Sequence, residues 1–360
     1  MSFGIYIHIP YCLSKCNYCD FHSQGGSQRI SDAYIQQVLF QLKKYQTRRP
    51  NTVYFGGGTP SLLKPDQIYQ ILCQINPLSD AEITLEANPE TLYQEKLNNF
   101  YQVGVNRLSL GIQTASQKSL QTLGRVHTIQ QSQKAFEMAL QAGFKNISGD
   151  IMLALPNYTK QEFDYTLSLI QQGGATHISA YLLKIEPNTA FFKNPPANLP
   201  CEDTAADFYL YAVEQLEKAG YQQYEISNFA KKGYQSQHNL LYWDCYDYLG
   251  IGPAAHSCLN GIRYAFDNNT PAFLQGKLQL ETTGDCTWQD YVMLQLRLNH
   301  GLSFSLLKEK YNITFSQKQF EFLQQCNKHG LVQLSSDRAW LTVQGMLIQN
   351  SILTELLQEN

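Results

Sequence analysis

Three cysteines fall within eight residues, in the run His8-Ile9-Pro10-Tyr11-Cys12-Leu13-Ser14-Lys15-Cys16-Asn17-Tyr18-Cys19. Their spacing is C-x3-C-x2-C, directly after an apolar run that Pro10 ends. Thiolates so placed can curl around one centre. Three of them hold three corners of a 4Fe-4S cube, which ordinarily takes four cysteines. The remaining iron is then open to a ligand that is not protein. His22, three residues past Cys19, leaves a second reading open, a tetrahedral Cys3His zinc site. The other six cysteines (Cys73, Cys201, Cys245, Cys258, Cys286 and Cys326) are scattered. In a reducing compartment they read as small buried apolar residues. An odd total of nine argues against a complete disulfide framework.

Further chemistry-bearing residues punctuate the first half. Gly56-Gly57-Gly58-Thr59 is neither a P-loop nor a dinucleotide fingerprint. Its glycines let backbone groups approach a ligand closely, or simply make a tight turn. Glu86 ends a β-rich run, where a bare carboxylate is costly to bury unless it is hydrogen-bonded. Gln113 is a neutral hydrogen-bonding group at the end of another. Arg125 offers a planar fork suited to a carboxylate, or a surface ion pair. Asp150 can accept from hydroxyls or cap a helix.

The elements that must position these residues alternate. Short β-rich runs at 3–9, 52–55, 82–86, 107–111, 146–152 and 177–183 are separated by helical patterns at 31–45, 65–74, 91–101, 128–142 and 160–172. Ala135, Met138, Ala139 and Ala142 form an apolar stripe at helical spacing, and Gly143 follows as a stop. Such alternation implies a parallel sheet with right-handed crossovers, open or rolled into a barrel. In either form the ligand site gathers at the C-terminal ends of the strands.

Residues 187–202 read as a connection. A helix follows at 203–219, then an aromatic, glycine-rich stretch at 221–275 with weak periodicity. Beyond it, helical patterns at 290–298, 305–311 and 317–328, two apolar runs at 331–334 and 339–343, and a last helix at 345–357 suggest a small winged-helix-like domain. The chain has 360 residues, 43% of them hydrophobic, and a formal net charge of -3. That balance excludes a nucleic-acid binder as the default reading. No apolar run is long enough for a membrane helix, and the N-terminus lacks a signal-peptide layout, so the expectation is a soluble cytoplasmic protein.

Read in order, Tyr6-Ile7-His8-Ile9-Pro10 with the cysteines, Gly56-Gly57-Gly58-Thr59-Pro60, Glu86-Ala87-Asn88-Pro89, Gly111-Ile112-Gln113, Gly124-Arg125, Gly149-Asp150 and His238-Asn239-Leu240-Leu241-Tyr242-Trp243 cover almost the whole chain. Together they resemble the radical S-adenosylmethionine superfamily. Within it they resemble the branch of oxygen-independent coproporphyrinogen III oxidase and the HemW-type haem chaperones. The resemblance implies a partial (β/α)6 barrel over 1–200. An extension carrying the His238 hexapeptide would follow over 201–284, and a winged-helix-like domain over 285–360. It implies a 4Fe-4S cluster on Cys12, Cys16 and Cys19. It implies S-adenosylmethionine held by Tyr6, Tyr18, Gly57, Gly58, Thr59, Glu86, Gln113, Arg125 and Asp150. The glycine stretch would meet the methionine amino group, Arg125 its carboxylate and Asp150 the ribose. A reductant such as flavodoxin or ferredoxin would supply one electron, cleaving the cofactor to methionine and a 5′-deoxyadenosyl radical.

Two functions share this branch. The oxidase decarboxylates two propionates of coproporphyrinogen III to give protoporphyrinogen IX; the chaperone binds haem and hands it to acceptor proteins. Three features favour the chaperone. The oxidase carries a fourth cysteine two residues after the third, where this chain has Phe21. The oxidase has a sizeable segment before its motif, which a first cysteine at residue 12 leads us not to expect here. The chaperones carry H-N-x-x-Y-W, matched by the hexapeptide from His238. His238 is thus expected as a haem-iron ligand, with Tyr242 and Trp243 against a porphyrin face; an ordinary hydrogen-bonded core histidine is the alternative. One stretch departs from the family. Ala154 stands where a glycine, and Tyr158 where a glutamine, is expected after Asp150. The oligomeric state, a homodimer included, is left open.

Overall fold

A computed structural model describes residues 2–358. Strands β1 (Phe3–Ile9), β2 (Thr52–Gly57), β3 (Glu82–Ala87), β4 (Arg107–Gln113), β5 (Asn146–Leu153) and β6 (His177–Leu182) run parallel in sequence order. The helices between them are α1 (Asp32–Tyr45), α2 (Pro65–Ile75), α3 (Gln94–Gln102), α4 (Gln117–Thr122), α5 (Ile129–Gln141) and α6 (Lys160–Gln172). Their starts follow from capping. Ser31, Thr128 and Thr159 each accept from a backbone N–H three residues on, satisfying donors that the first turn leaves free. Helix α3 begins later than its sequence pattern because Pro89–Thr91 closes a separate 3-10 turn.

Alternation along the strands makes two layers. Ile5, Ile7, Ile9, Val53, Phe55, Leu85, Leu108 and Leu110 are fully buried in one apolar cluster with Ile35, Val38 and Leu42 of α1. The opposite parity (Tyr54, Glu86, Ser109, Gly111, Asp150, Ser179, Tyr181) lines a cavity on the inner face. A sheet whose strands two to six all reach one cavity must be rolled. It stays incomplete, because it continues at both edges rather than closing.

Those edges come from the stretch that sequence reading left without elements. Helix α7 (Ala190–Lys193) and α8 (Glu202–Lys218) lead to β7 (Gln222–Glu225) and β8 (Asn228–Ala230), which extend the sheet antiparallel beyond β6. Helix α9 (Gln237–Trp243) leads to β9 (Asp247–Ile251), parallel to β1 in the register Tyr6↔Gly250. Strands β10 (His256–Leu259), β11 (Ile262–Ala265) and β12 (Glu281–Asp285) continue antiparallel, with α10 (Thr270–Leu274) between the last two. The sheet has 12 strands in the order β12-β11-β10-β9-β1-β2-β3-β4-β5-β6-β8-β7. The added strands are three to five residues long, too short to show a period. On this side the free thiols of Cys258 and Cys286 lie 2.7 Å apart.

A second apolar cluster runs from Tyr291 to Leu356. Helix α11 (Trp288–Gln295), β13 (Leu302–Ser303), α12 (Phe304–Tyr311), α13 (Gln317–Lys328), β14 (Val332–Leu334) and β15 (Arg338–Leu341) follow winged-helix order, with the small sheet ordered β13-β15-β14. The single closing helix expected at 345–357 is two, α14 (Val343–Leu347) and α15 (Gln349–Leu356). They part at Ile348, whose N–H turns to Gly345 O in a tight closure. Among the described residues no helix is long and apolar enough to cross a membrane.

Candidate functional site

The cysteine loop is a tied structure. Gln24 N donates to Pro10 O at 2.8 Å and Cys12 N to Gln24 O at 2.9 Å, closing the loop on itself. Asn17 pins its far side, donating from N to Leu123 O at 3.0 Å and from Nδ2 to Thr122 O at 2.9 Å. Lys15 Nζ donates to Phe21 O and Ser23 O. All three cysteines line one cavity of about 430 Å³. Cys12 is buried and the other two half-buried. Burial pushes the Cys12 thiol up and the Cys19 thiol to about 11. A coordinated metal offsets that cost by supplying positive charge beside the sulfur.

The glycine stretch packs beneath this loop. Gly58 N donates to Ile9 O at 2.7 Å, and Thr59 N to Tyr11 O at 2.8 Å. A Cβ at Gly58 would lie 2.7 Å from Tyr11 O, 2.8 Å from Ile9 O and 3.0 Å from Cys12 Sγ. Gly57 has φ +109, and a Cβ there would meet the His8 ring at 2.6 Å. No other residue fits either place. Gly57 N also donates to Glu86 Oε2 at 3.1 Å, while Tyr54 Oη donates to Oε1 at 2.8 Å. Burial outweighs those two donors and lifts the Glu86 carboxyl to about 7.

Arg125 faces the cluster loop from across the cavity. Its Nη1 lies 3.4 Å from Cys16 Sγ, and its Nη2 donates to Asn88 Oδ1 at 2.7 Å and Gly111 O at 2.8 Å. Its buried Nε has no partner. Asn88 in turn donates to Thr59 Oγ1 at 3.1 Å, so one amide ties the arginine to the glycine stretch. Gln113 sits at a β-bulge with φ +65, which turns its side chain to the cavity. Asp150 accepts from Ser109 at 2.8 Å and Ser148 at 3.0 Å. Ala154, where a glycine is expected, has left-handed φ +56, a conformation glycine takes without strain. Tyr158 packs edge-on against Phe208 of α8 at 5.1 Å.

Thus Cys12, Cys16, Cys19, Tyr18, Gly57, Gly58, Thr59, Glu86, Gln113, Arg125 and Asp150 share one cavity. Two expected residues do not line it. Tyr6 directs its hydroxyl to His8 Nδ1 at 3.0 Å and its ring against Tyr54, behind the wall. His238, expected as a haem-iron ligand, is enclosed by the fold. The ring is 1% exposed. Its Nδ1 bonds Thr52 Oγ1 at 2.7 Å and its Nε2 bonds Tyr242 Oη at 2.7 Å. It stacks on Tyr54 with ring centroids 5.1 Å apart, and burial lowers its pKa to about 3. The neutral ring, both nitrogens engaged, is a plug at the floor of the barrel; its neighbour Asn239 is the one that lines the cavity. Nor does His22 join the cysteines; its Nε2 bonds Thr270 Oγ1 at 2.9 Å. Among the described residues no three His, Cys, Asp or Glu side chains gather tightly enough for a single metal ion.

Sequence reading missed Asn88, Tyr54, Ser109 and Arg107 as cavity residues. Asn88 lay in a quoted stretch and could have been found there. The others are visible only through strand parity once the strands are in register. The donor set suits an iron–sulfur cube and a small cationic cofactor. It has three sulfurs on one wall, spaced beyond a single ion's reach, a cradle closed to any Cβ at Gly58, and an orphaned buried guanidinium nitrogen on Arg125.

Comparison with known proteins agrees. Residues 6–170 match the radical SAM superfamily and residues 288–348 the HemN C-terminal domain. The haem chaperone HemW of Bacillus subtilis is 33% identical, with 98% of this chain and 99% of that protein aligned. HemW of Escherichia coli is 41% identical over 70% of this chain and 69% of its own length. Among solved structures, coproporphyrinogen III oxidase (HemN) from Escherichia coli, a radical SAM enzyme, superposes with a TM-score of 0.83 at 21% identity, covering 99% of this chain and 90% of that one. That likeness establishes the fold. Membership of this superfamily implies a 4Fe-4S cluster and S-adenosylmethionine. By full-length identity and by both matched regions, the chain belongs to the HemW family of radical SAM proteins.

Proposed function

We propose that this protein holds a 4Fe-4S cluster on Cys12, Cys16 and Cys19 and S-adenosylmethionine in the adjoining cavity, and that it binds haem for delivery to an acceptor protein. The observation that carries the reading is identity with HemW haem chaperones along the whole chain, 33% over 98% of its length. Phe21 supports it. This residue stands where the resemblance gives the oxidase a fourth cysteine, and it is 61% exposed at the cavity rim.

One-electron reduction of the bound sulfonium is the chemistry this pair of cofactors supplies. The chain's own residues prepare the place. The tied loop fixes three sulfurs on one wall. Gly57 and Gly58 bring backbone against the ligand, and Glu86 offers a carboxylate to its ammonium group. A cation there favours the ionised form of a carboxyl that otherwise titrates near 7. Arg125 keeps positive charge beside Cys16 Sγ. Tyr18 lines the cavity beside the cysteines, where its ring would shield a bound cluster from water. The second reading, oxidation of coproporphyrinogen III, rests on the shared fold with HemN.

One preparation tests both. Anaerobically reconstituted protein should contain about four irons per chain. It should bind haem, pass it to an apo haem protein, and form no protoporphyrinogen IX from coproporphyrinogen III beside a working oxidase control. Stoichiometric zinc without iron would refute the cluster. The twofold decarboxylated product would make the protein an oxidase.

A further inference from the structure

The inner cavity contains a buried cation that no direct contact satisfies; the Glu82 carboxylate favours its charge only from beyond ion-pair distance. Arg107 opens β4, and its side chain has the parity of Ser109 and Gly111, so it points into the barrel. It is 1% exposed, and its Nε is buried without a partner. Among the described residues its guanidinium makes no hydrogen bond and no ion pair. The neighbouring carboxylates are held elsewhere. Glu82 accepts the backbone N–H groups of Gln237 and His238, at 3.2 and 3.1 Å. Glu86 accepts from Tyr54 and Gly57, and Asp150 from Ser109 and Ser148. Thr84, opposite Arg107 in the strand register, also buries a hydroxyl with no partner.

Buried charged donors left unpaired cost free energy of the order of several ordinary hydrogen bonds. A planar guanidinium is best satisfied by a carboxylate gripped by two parallel N–H donors. Arg125, the other arginine on the cavity, has Nη2 already engaged by Asn88 and Gly111. We propose that Arg107 is the receptor for a carboxylate of the ligand that occupies the inner half of the barrel. The proposal rests on the cofactor and haem reading above, which supplies two carboxylate sources: a propionate arm of the tetrapyrrole and, in competition with Arg125, the methionine carboxylate of S-adenosylmethionine. A cavity of about 430 Å³ suits a nucleoside-sized ligand or an inserted arm better than a whole macrocycle.

The test uses full-length reconstituted protein and compares wild type with Arg107→Gln and Arg107→Lys. Each is titrated with S-adenosylmethionine, with its decarboxylated analogue, with haem and with haem dimethyl ester. The expected result is that wild type prefers one carboxylate ligand over its partner lacking the free carboxylate by about ten- to a hundred-fold, and that R107Q loses that preference. The ligand pair that shows the effect identifies the source. R107K keeps the charge without the fork and should retain part of the preference. If R107Q does not fold, the wild-type preference and its reduction in R107K carry the test. No preference in wild type for either pair, or a preference unchanged in both variants, overturns the proposal and leaves water as the partner of Arg107. Wild type that binds neither S-adenosylmethionine nor haem overturns the parent reading, and the proposal with it.

Discussion

At the scale of single residues the chain separates groups that face the cavity from groups that hold the barrel shut. Cys12, Cys16, Cys19, Gly57 and Gly58 were legible in sequence because their meaning is local: a spacing, or a conformation only glycine adopts. His238 was not, because its meaning depends on Thr52, Tyr54 and Tyr242, which only the fold brings to it. The hexapeptide pointed to an iron ligand, and the fold surrounds that ring with hydrogen-bond partners that the hexapeptide alone does not show. That ring has a pH signature. Its pKa is lowered to about 3 by burial, with Arg107 adding in the same direction. The unfolded chain therefore binds a proton below about 6.5 that the native state refuses, and stability falls as pH drops from there toward 3. His8, lowered to about 4, and His177, also lowered, act with the same sign. We expect His238→Gln to lose about 1–3 kcal/mol at pH 7 through its two hydrogen bonds, yet to destabilise less steeply than wild type on acidification. Thermal melts across pH 4 to 7 measure this. Parallel pH curves would contradict the neutral-plug assignment. Weakened haem binding with an unchanged melt would return His238 to the list of ligands.

At the scale of elements, the six alternating strands and their helices were legible because each is long enough to show a period and is bounded by caps. Strands β7 to β12 were not, since short edge strands borrow their stability from neighbours. The site needs both kinds. The cysteine loop is shaped by β1 before it and by the turn after β2 beneath it, through the Ile9 and Tyr11 carbonyls. Gly58 is where these two elements touch. A methyl group there meets two backbone oxygens and Cys12 Sγ at 3.0 Å or less, and none of the three is the far end of a flexible chain. The loop must therefore shift, while the helix-facing core of β2 is untouched. We expect Gly58→Ala to fold with an unchanged far-ultraviolet spectrum but to retain less than about half the iron of wild type after reconstitution, since cluster assembly needs all three sulfurs in place. Full iron content in the variant would show that the loop adapts and that the close approach of Gly58 is not what positions Cys12.

At the scale of the whole molecule, the winged-helix region meets the barrel through several charged pairs, one of which buries its carboxylate completely. Arg297, in the turn after α11, approaches Glu225 Oε2 with its Nε at 2.5 Å and lies 4.5 Å above the Trp243 ring at the end of α9. Glu225 is 0% exposed and also accepts from Ser227 N and Asn228 Nδ2. Burial pushes its carboxyl up, and Arg297 is the chief influence pulling it back. Gln295 Nε2 donates to Trp243 O at 3.0 Å beside this pair. The same helix α9 thus packs its His238 end on the barrel floor and its Trp243 end on the C-terminal region. Coupling of this kind predicts one cooperative transition rather than two. It also makes the Arg297 pair costly to break, because the carboxylate stays behind in a dry site. With Arg297 a quarter exposed, the low end of that cost applies, so we expect Arg297→Met to lose about 3 kcal/mol at pH 8. The sign with pH follows from Glu225. Without its partner the carboxyl titrates higher in the native state than in the unfolded chain, the native state keeps a proton the unfolded chain releases, and stability falls as pH rises. The gap from wild type should therefore narrow between pH 8 and pH 5.5. Adding Glu225→Gln to Arg297→Met should recover most of the loss at pH 8, because it removes the stranded charge. A double variant no more stable than R297M would mean that packing on Trp243, rather than charge, joins the two halves.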